Sequence, residues 1–358
     1  MKKVMVGMSG GVDSSVAAML LRDSGYEVMG VTLKLFSDED IVQAEKEGKT
    51  CCALSDVEDA RSVAYRLGFD HLVFNFKDNF REHVMQQFAD SYLAGRTPNP
   101  CIECNRHVKF DKMLRRALEL GYDYIATGHY AINEYDEKSG RFLLKRPADR
   151  SKDQTYVLYS LTQEQLSHTL FPLGNLEKTQ VRELAEKAGL VNSSKPDSQD
   201  ICFVPDGKYA EFIRKFTGAT VPEGSFIDMN GRILGTHKGI INYTVGQRKG
   251  LGISLGKPAY VVKKDVADNT VMLGDESDLY TKTLIAEDVN LISVAEITEP
   301  MRITAKTRYS QTEQPAVLSC LGNGEYLVEF DESQRAVTSG QAVVFYDGDI
   351  VVGGGTIK

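Results

Sequence analysis

Short apolar runs alternate with amphipathic stretches through the first third of the chain. Residues 3–8 are apolar, 14–24 carry a helical period that stops at Gly25, and 27–35 form a second apolar run. Ser55, Asp56, Val57 and Glu58 read as a capping box opening a helix that ends at Leu67 before Gly68. Residues 71–76 predict a third strand, 79–93 a helix, 108–120 a helix closed by Gly121, and 124–127 a further strand. Strands separated by helices of this length pair in parallel through right-handed crossovers. The pattern therefore predicts an α/β fold with a doubly wound parallel sheet, whose ligands bind at the carboxyl ends of the strands.

From residue 141 to 216 the pattern mixes an exposed hairpin with helices such as 177–188, which stops at Gly189. After Thr217 helical periodicity fades, and Gly, Val, Ile, Thr and Tyr dominate. We divide the chain into a catalytic domain over 1–216, a small β-rich central domain over 217–278 and a C-terminal β-barrel over 279–358. Barrel strands are expected at 301–306, 316–320, 326–330, 342–346 and 350–354.

With 358 residues, 42% hydrophobic and 26% charged, the composition excludes disordered, collagenous and fibrous chains. No apolar stretch is long enough to span a bilayer. The apolar run after Met1-Lys2-Lys3 breaks at Ser9-Gly10-Gly11 and meets Asp13 too soon for a signal peptide. A cytoplasmic protein with no membrane partner is expected. Six cysteines are too few for a disulfide scaffold, so they read as buried fillers or as chemistry. The net charge of −8 argues against non-specific coating of nucleic acid, yet three basic stretches interrupt it. Residues 231–264 hold seven Lys or Arg and no acid, 141–152 hold five against Asp149, and 104–116 hold five against Asp111. Such stripes are either solvated faces or footprints of a phosphate backbone.

The strongest motif is Ser9-Gly10-Gly11-Val12-Asp13-Ser14-Ser15, between a strand and a helix. Glycines permit a tight turn that exposes N–H groups, and the helix N-terminus adds partial positive charge, so an anionic phosphate belongs there. Asp13 suits such a cradle if a divalent cation, Mg2+, lies between carboxylate and phosphate. Neither a Walker ending nor Gly-x-Gly-x-x-Gly is present. The motif resembles the PP-loop of ATP pyrophosphatases, which cleave ATP between its α- and β-phosphates and form an adenylated intermediate.

Asn99-Pro100-Cys101-Ile102-Glu103-Cys104-Asn105 is read as a loop between two helices. A Cys-x-x-Cys pair can share a metal, form a reversible disulfide or supply a reactive thiolate. Structural zinc normally needs a second pair, and the next cysteine, Cys202, stands alone. Cys202 is either a buried small hydrophobe or a reactive partner. Cys320 in a barrel strand, and one of Cys51 and Cys52, suit the filler role.

Taken with the PP-loop, several further segments resemble the tRNA-specific 2-thiouridylases. They are Gly95-Arg96-Thr97-Pro98-Asn99-Pro100 leading to Cys104-Asn105, Ala126-Thr127-Gly128-His129-Tyr130, Lys152-Asp153-Gln154-Thr155-Tyr156, residues 197–203, Tyr243-Thr244-Val245-Gly246-Gln247-Arg248-Lys249-Gly250 and Arg308-Tyr309. The likeness spans the chain in order. It implies that O2 of the wobble uridine of certain tRNAs is replaced by sulfur at the expense of ATP. By the same resemblance Gly7, Met8, Ser9, Gly10, Gly11, Val12, Asp13, Ser14, Leu33 and Gly128 would hold ATP, and Asp13 would serve catalysis. Cys104 would carry or deliver the sulfur and Cys202 would receive the persulfide. Asn99, Pro100 and Cys101 would face the target base, while His129, Lys152, Asp153, Gln154, Arg308, Tyr309 and Gln341 would contact tRNA. His129 also suits a hydrogen-bonded histidine at a strand end, and Gln341 a turn residue. Some family members carry Asp in place of Cys101. The trio Cys101, Cys104 and Cys202 resembles the ligand set of thiolation enzymes that use a 4Fe-4S cluster, so sulfur arrives either as a persulfide from a cysteine desulfurase or relay protein, or as sulfide on iron. The alternative function is a PP-loop amide ligase acting on a small metabolite, which would need neither cysteines nor RNA.

Overall fold

A computed structural model of the chain describes residues 1–35, 54–196, 201–204 and 207–358. Cys51, Cys52 and residues 197–200 lie outside the described residues. Strand β1 (Lys3–Gly7) feeds helix α1 (Val12–Asp23), β2 (Glu27–Lys34) precedes α2 (Leu54–Leu67), and β3 (His71–Asn75) follows. Next come two long helical runs. The run α3 comprises Lys77–Phe80, a π-helical stretch Arg81–Gln86 and Gln87–Leu93; α4 comprises Pro100–Cys104, a π-helical stretch Asn105–Lys112 and Met113–Glu119. Strand β4 (Tyr124–Thr127), the hairpin β5 (Ile132–Asp136) and β6 (Arg141–Lys145), the short helix α5 (Gln163–Ser167), strand β7 (Thr169–Leu170) and helix α6 (Lys178–Lys187) complete the first unit.

Its parallel sheet has the order β3-β2-β1-β4-β7. The order reverses direction between β1 and β4, which opens a crevice beyond their carboxyl ends. Val4, Val6, Ala17, Val63 and Ala185 belong to the apolar cluster where α1, α2 and α6 cover the sheet. Met5, Phe110, Met113 and Ile125 belong to a second cluster, which continues into Val344, Tyr346 and Val351 of the C-terminal unit.

After α7 (Tyr209–Thr217) a four-stranded sheet forms from β8 (Gly224–Ile227), β9 (Ile233–His237), β10 (Tyr260–Asp265) and β11 (Thr270–Gly274), in the order β10-β11-β8-β9. Its apolar side packs on Phe88, Ala89 and Tyr92 of α3. The remaining strands are β12 (Tyr280–Leu291), β13 (Met301–Lys306), β14 (Gln314–Gly322), β15 (Glu325–Arg335), β16 (Ala342–Asp347) and β17 (Ile350–Ile357). They close an antiparallel barrel, because β12 pairs with both β15 and β17.

Four expectations need correction. The Cys-x-x-Cys segment is the start of α4 and not a loop: Asn99 caps the helix by accepting from the Cys101 N–H at 3.1 Å, and Pro100 supplies the preset φ of a first helical residue. The hairpin begins at Ile132 and is not a free excursion, since Lys145 pairs with Ile350 and appends it to the barrel. Helix α2 already includes Leu54, so Ser55 lies inside its first turn. Cys320 is exposed rather than buried.

Candidate nucleotide and sulfur site

Three strand ends frame the site: Gly7 leads into the glycine loop, Gly128 follows β4, and Leu33 lies near the end of β2. Gly10 has φ +74°, and a Cβ there would fall 2.4 Å from the Asp56 carbonyl oxygen, so only glycine lets the loop lie against α2. Ser14 Oγ donates to the Gly11 carbonyl at 3.1 Å and accepts from the Ser9 N–H at 3.2 Å. Ser15 Oγ also donates to Gly11, and Asn192 Nδ2 donates to the Gly10 carbonyl and to Ser15 Oγ, both at 2.9 Å. Lys195 bonds Asp56 and, at 2.7 Å, Asp59, fastening the segment after α6 to α2. These bonds fix the loop from behind and leave its front to the crevice.

Gly128 lies directly against that loop. A Cβ on it would stand 2.6 Å from the Ser14 nitrogen and 2.8 Å from the Asp13 carbonyl carbon. Asp13, in the first turn of α1, is held by Lys178 Nζ at 2.7 Å from each carboxylate oxygen and by the Tyr130 hydroxyl at 2.9 Å. Mg2+ carried by phosphates needs only one or two protein carboxylates, and Asp13 at the mouth of the loop fits that role.

The cysteines lie along the same edge of the sheet. Cys104 is buried in a cluster with Leu35, Phe80, Val84, Met85 and Val108, and Cys202 and Phe203 pack against it. Leu33 and Phe76, at the ends of β2 and β3, touch this cluster too. Cys101, one helical turn before Cys104, is exposed. All three cysteines are described, yet no group of three or more His, Cys, Asp or Glu side chains able to hold a metal ion occurs among the described residues.

The residues expected to meet tRNA divide into two groups. Tyr309 of the barrel is partly exposed; its hydroxyl is pushed above the ordinary value by burial and then by the charges of Asp153 and Cys101. Its ring meets Tyr156 edge-on at 6.0 Å. Arg308 bonds the Ala336 carbonyl, and burial followed by the neighbouring Arg335 lowers its pKa. A Cβ on Gly246 would come within 3.7 Å of Arg308, so the turn carrying Arg248 abuts it. Asn99 lines a cleft of about 180 Å3 with Arg96, Glu103, Tyr159 and Asp288. The second group is tied inward. Asp153 accepts from Thr155 and faces Arg146, Gln154 accepts from the Tyr130 N–H, and Gln341 donates to the Thr97 carbonyl at 2.9 Å. Lys152 ends a single turn capped by Asp149. His129 is buried between Phe110 and Phe171 and shares a 2.7 Å hydrogen bond with Thr127, the surroundings of a strand-end histidine.

Two of the three basic stretches are largely taken up by internal contacts. Arg146 pairs with Glu313, Lys145 with Glu134 and Arg150 with Asp349, while Arg141 donates to the Ile292 carbonyl. Arg106 pairs with Asp288, Arg115 with Asp111 and Arg116 with Glu119. In the third stretch Arg248 and Lys249 are exposed.

Comparison with known proteins assigns all three units. A family model described as tRNA methyl transferase HUP domain matches residues 2–206, a tRNA methyl transferase PRC-barrel domain matches 210–275, and an aminomethyltransferase beta-barrel domain matches 281–357. The protein named tRNA-specific 2-thiouridylase MnmA of Acetivibrio thermocellus is 58% identical over 357 residues, covering 100% of this chain and 99% of that one. Its namesake in Clostridioides difficile is 55% identical, covering 100% and 98%.

The chain belongs to the tRNA-specific 2-thiouridylase family.

The methyl transferase wording of the family models and the relatives' thiouridylase names disagree. The PP-loop and the cysteine pair at the sheet edge accord with the latter. Within this 2-thiouridylase, sequence reasoning missed Lys178, Tyr130, Asn192 and Lys195. One signal was available: Lys178 opens helix α6, where the helix dipole disfavours a cation. A lysine there needs an anion nearby, and Asp13 is that anion.

Proposed function

We propose that this protein forms 2-thiouridine at the wobble position of tRNA, using ATP. The observation that carries the reading is the convergence of Cys104 and Cys202 on one apolar cluster that shares Leu33 with the strand edge bearing the PP-loop. Activation and sulfur delivery then occur along one crevice.

The loop and the α1 N-terminus bind the phosphates of ATP. The C2 carbonyl oxygen of the uridine attacks the α-phosphorus and pyrophosphate leaves, which turns a poor leaving group into AMP. Mg2+ on the phosphates supplies charge neutralisation. Cys202 holds the sulfane sulfur received from a persulfide donor, and the terminal sulfur attacks C2 and expels AMP. The Cys104 thiolate then attacks Cys202 Sγ and breaks its bond to the transferred sulfur, which stays on C2 as the thiocarbonyl, leaving a Cys104–Cys202 disulfide that an external thiol reduces. The apolar surroundings of Cys104 exclude water, which would otherwise hydrolyse the adenylated base. The wobble base leaves its stack to reach the crevice, at a cost offset by phosphate and stacking contacts. The exposed ring of Tyr309 supports the reading that it supplies one such contact.

The test is nucleoside mass spectrometry of unthiolated tRNA incubated with ATP, Mg2+ and a persulfide donor. Metal-free wild-type protein is expected to yield 2-thiouridine, and Cys104→Ser and Cys202→Ser to yield none while tRNA binding survives. Normal product from either variant would end the persulfide reading. Product that appears only after iron–sulfur reconstitution would replace it with the sulfide route.

A further inference from the structure

Cys104 and Cys202 each have a part in the sulfur transfer described above, and Cys101 has none. Yet Cys101 is the thiol that solvent reaches. Cys104 is 8% exposed, closed in by Phe80, Val84, Met85 and Val108, whereas Cys101 is exposed and Cys202 is half-buried. Phe203 holds the residue after Cys202 against this cluster, its ring edge-on to Phe80 at 5.7 Å and to Phe88 at 5.3 Å. A turnover that ends in a Cys104–Cys202 disulfide therefore leaves one sulfur closed to solvent, and the other is the atom that the next persulfide needs.

Cys101 stands three residues before Cys104 in α4. Residues so spaced on a helix have Cβ atoms about 5–6 Å apart, and a disulfide needs about 3.5–4.5 Å, so the first turn must tighten by roughly 1–2 Å to join them. The Cys101 N–H is held by the Asn99 side chain at 3.1 Å and not by a helical carbonyl, so that turn can tighten without breaking a helical bond at this nitrogen.

We propose that Cys101 is the resolving cysteine of the sulfur site, carrying the oxidation left by each turnover from the buried Cys104 to the surface. The inference rests on the persulfide reading above and deepens it. The Cys101 thiolate attacks Cys104 Sγ in the Cys104–Cys202 disulfide; the bond between Cys104 and Cys202 breaks, and Cys202 leaves as a thiolate. A dithiol reductant then attacks the exposed Cys101 Sγ. Its first thiolate forms a mixed disulfide with Cys101 and expels the Cys104 thiolate; its second closes the reductant's own disulfide and frees Cys101. Two electrons pass from the reductant to the site, and all three cysteines end reduced. Sulfur and electrons then enter at separate points, persulfide at Cys202 and reductant at Cys101, because exchange depends on which sulfur an attacking thiolate can reach.

The experiment maps disulfides in wild type, Cys101→Ser and Cys202→Ser. Persulfide-loaded wild type is mixed with unthiolated tRNA, ATP and Mg2+ without reductant, quenched in acid, alkylated and examined by non-reducing peptide mass spectrometry. The expected product is a Cys101–Cys104 disulfide with Cys202 alkylated. A Cys104–Cys202 disulfide with Cys101 alkylated overturns the proposal. Absence of 2-thiouridine, or 2-thiouridine without a disulfide among the three cysteines, removes the persulfide reading itself, and this inference with it. Cys202→Ser, which needs no turnover, is equilibrated with mixtures of reduced and oxidised dithiothreitol. It is expected to form the Cys101–Cys104 disulfide reversibly, and two free thiols throughout the series would overturn the proposal as well. Finally, thioredoxin is expected to reduce diamide-oxidised wild type faster than diamide-oxidised Cys101→Ser by about tenfold or more, because only wild type offers an exposed sulfur. Equal rates would mean that the reductant acts on the Cys104–Cys202 bond directly, against the proposal.

Discussion

Gly128→Ala puts the close approach of β4 to the PP-loop to a direct test. Gly128 does not adopt a left-handed φ, so alanine suits its backbone and any cost is steric. The new Cβ would lie 2.6 Å from the Ser14 nitrogen, where ordinary contact begins at 3.4 Å, and the opposing atoms are backbone, which cannot rotate away. Either β4 or the first turn of α1 must retreat by roughly 0.8 Å, an overpacking strain of about 1–3 kcal/mol. In a unit of this size that lowers the melting midpoint by roughly 2–12 °C. If the glycine loop binds ATP as proposed, the same displacement moves the Ser14 N–H of that loop and ATP affinity falls along with stability. Gly11→Ala is the matched control. Its φ is −86°, and its Cβ would meet only the movable Ser9 Oγ at 3.4 Å. It should cost about 1 kcal/mol or less, the difference between glycine and alanine at an N-cap. Thermal unfolding followed by circular dichroism, with ATP titration of the same samples, separates the two. A Gly128→Ala protein with the wild-type midpoint and wild-type ATP affinity would refute the close approach of strand end and loop.

Replacing Arg248 and Lys249 by Ala should weaken tRNA binding and make its dependence on salt shallower, by about 0.7–0.9 in log–log slope for each phosphate no longer neutralised. Filter binding across a salt series measures it, and an unchanged slope would make that stripe a solvated face. His129 gives a prediction in pH. Burial, then the charge of Lys109, holds its pKa well below 6.5, so the fold keeps the ring neutral while the unfolded chain protonates it. The unfolded state therefore binds more protons below about pH 6.5, and stability falls on acidification. Burial lowers His71 and His237 as well, so His129→Gln should reduce the loss between about pH 7.5 and about pH 5.5 without abolishing it. Denaturant midpoints at the two pH values supply the comparison, and equal losses in variant and wild type would mean that His129 titrates in the fold as it does in the unfolded chain.

The parts of the fold legible in the sequence are those in which local pattern and tertiary role coincide. β1, β2 and β4 read correctly because a buried parallel strand is apolar on both faces, and the glycines after α1, α2 and α4 are helix stops wherever the helices pack. The start of α4 was also written locally, since Asn before Pro is a cap followed by a first helical residue; attention to Cys101 and Cys104 as a loop motif concealed it. That misreading matters for the chemistry. Cys101 and Cys104 stand one turn apart on the same side of the helix, Cys101 exposed in its first turn and Cys104, a turn further in, buried among Phe80, Val84 and Val108. What remained illegible depends on partners remote in the chain. The basic residues around Arg146 resembled an RNA stripe until Glu313 and Asp349 of the barrel neutralised them, and no local feature of 141–152 announces those acids. Lys178 and Asp13 are likewise joined only by the packing of α6 on α1. Residue types placed against their local preference, such as a lysine at the head of a helix, are the trace such distant partners leave in a sequence. Here that trace leads to Asp13 in the glycine loop.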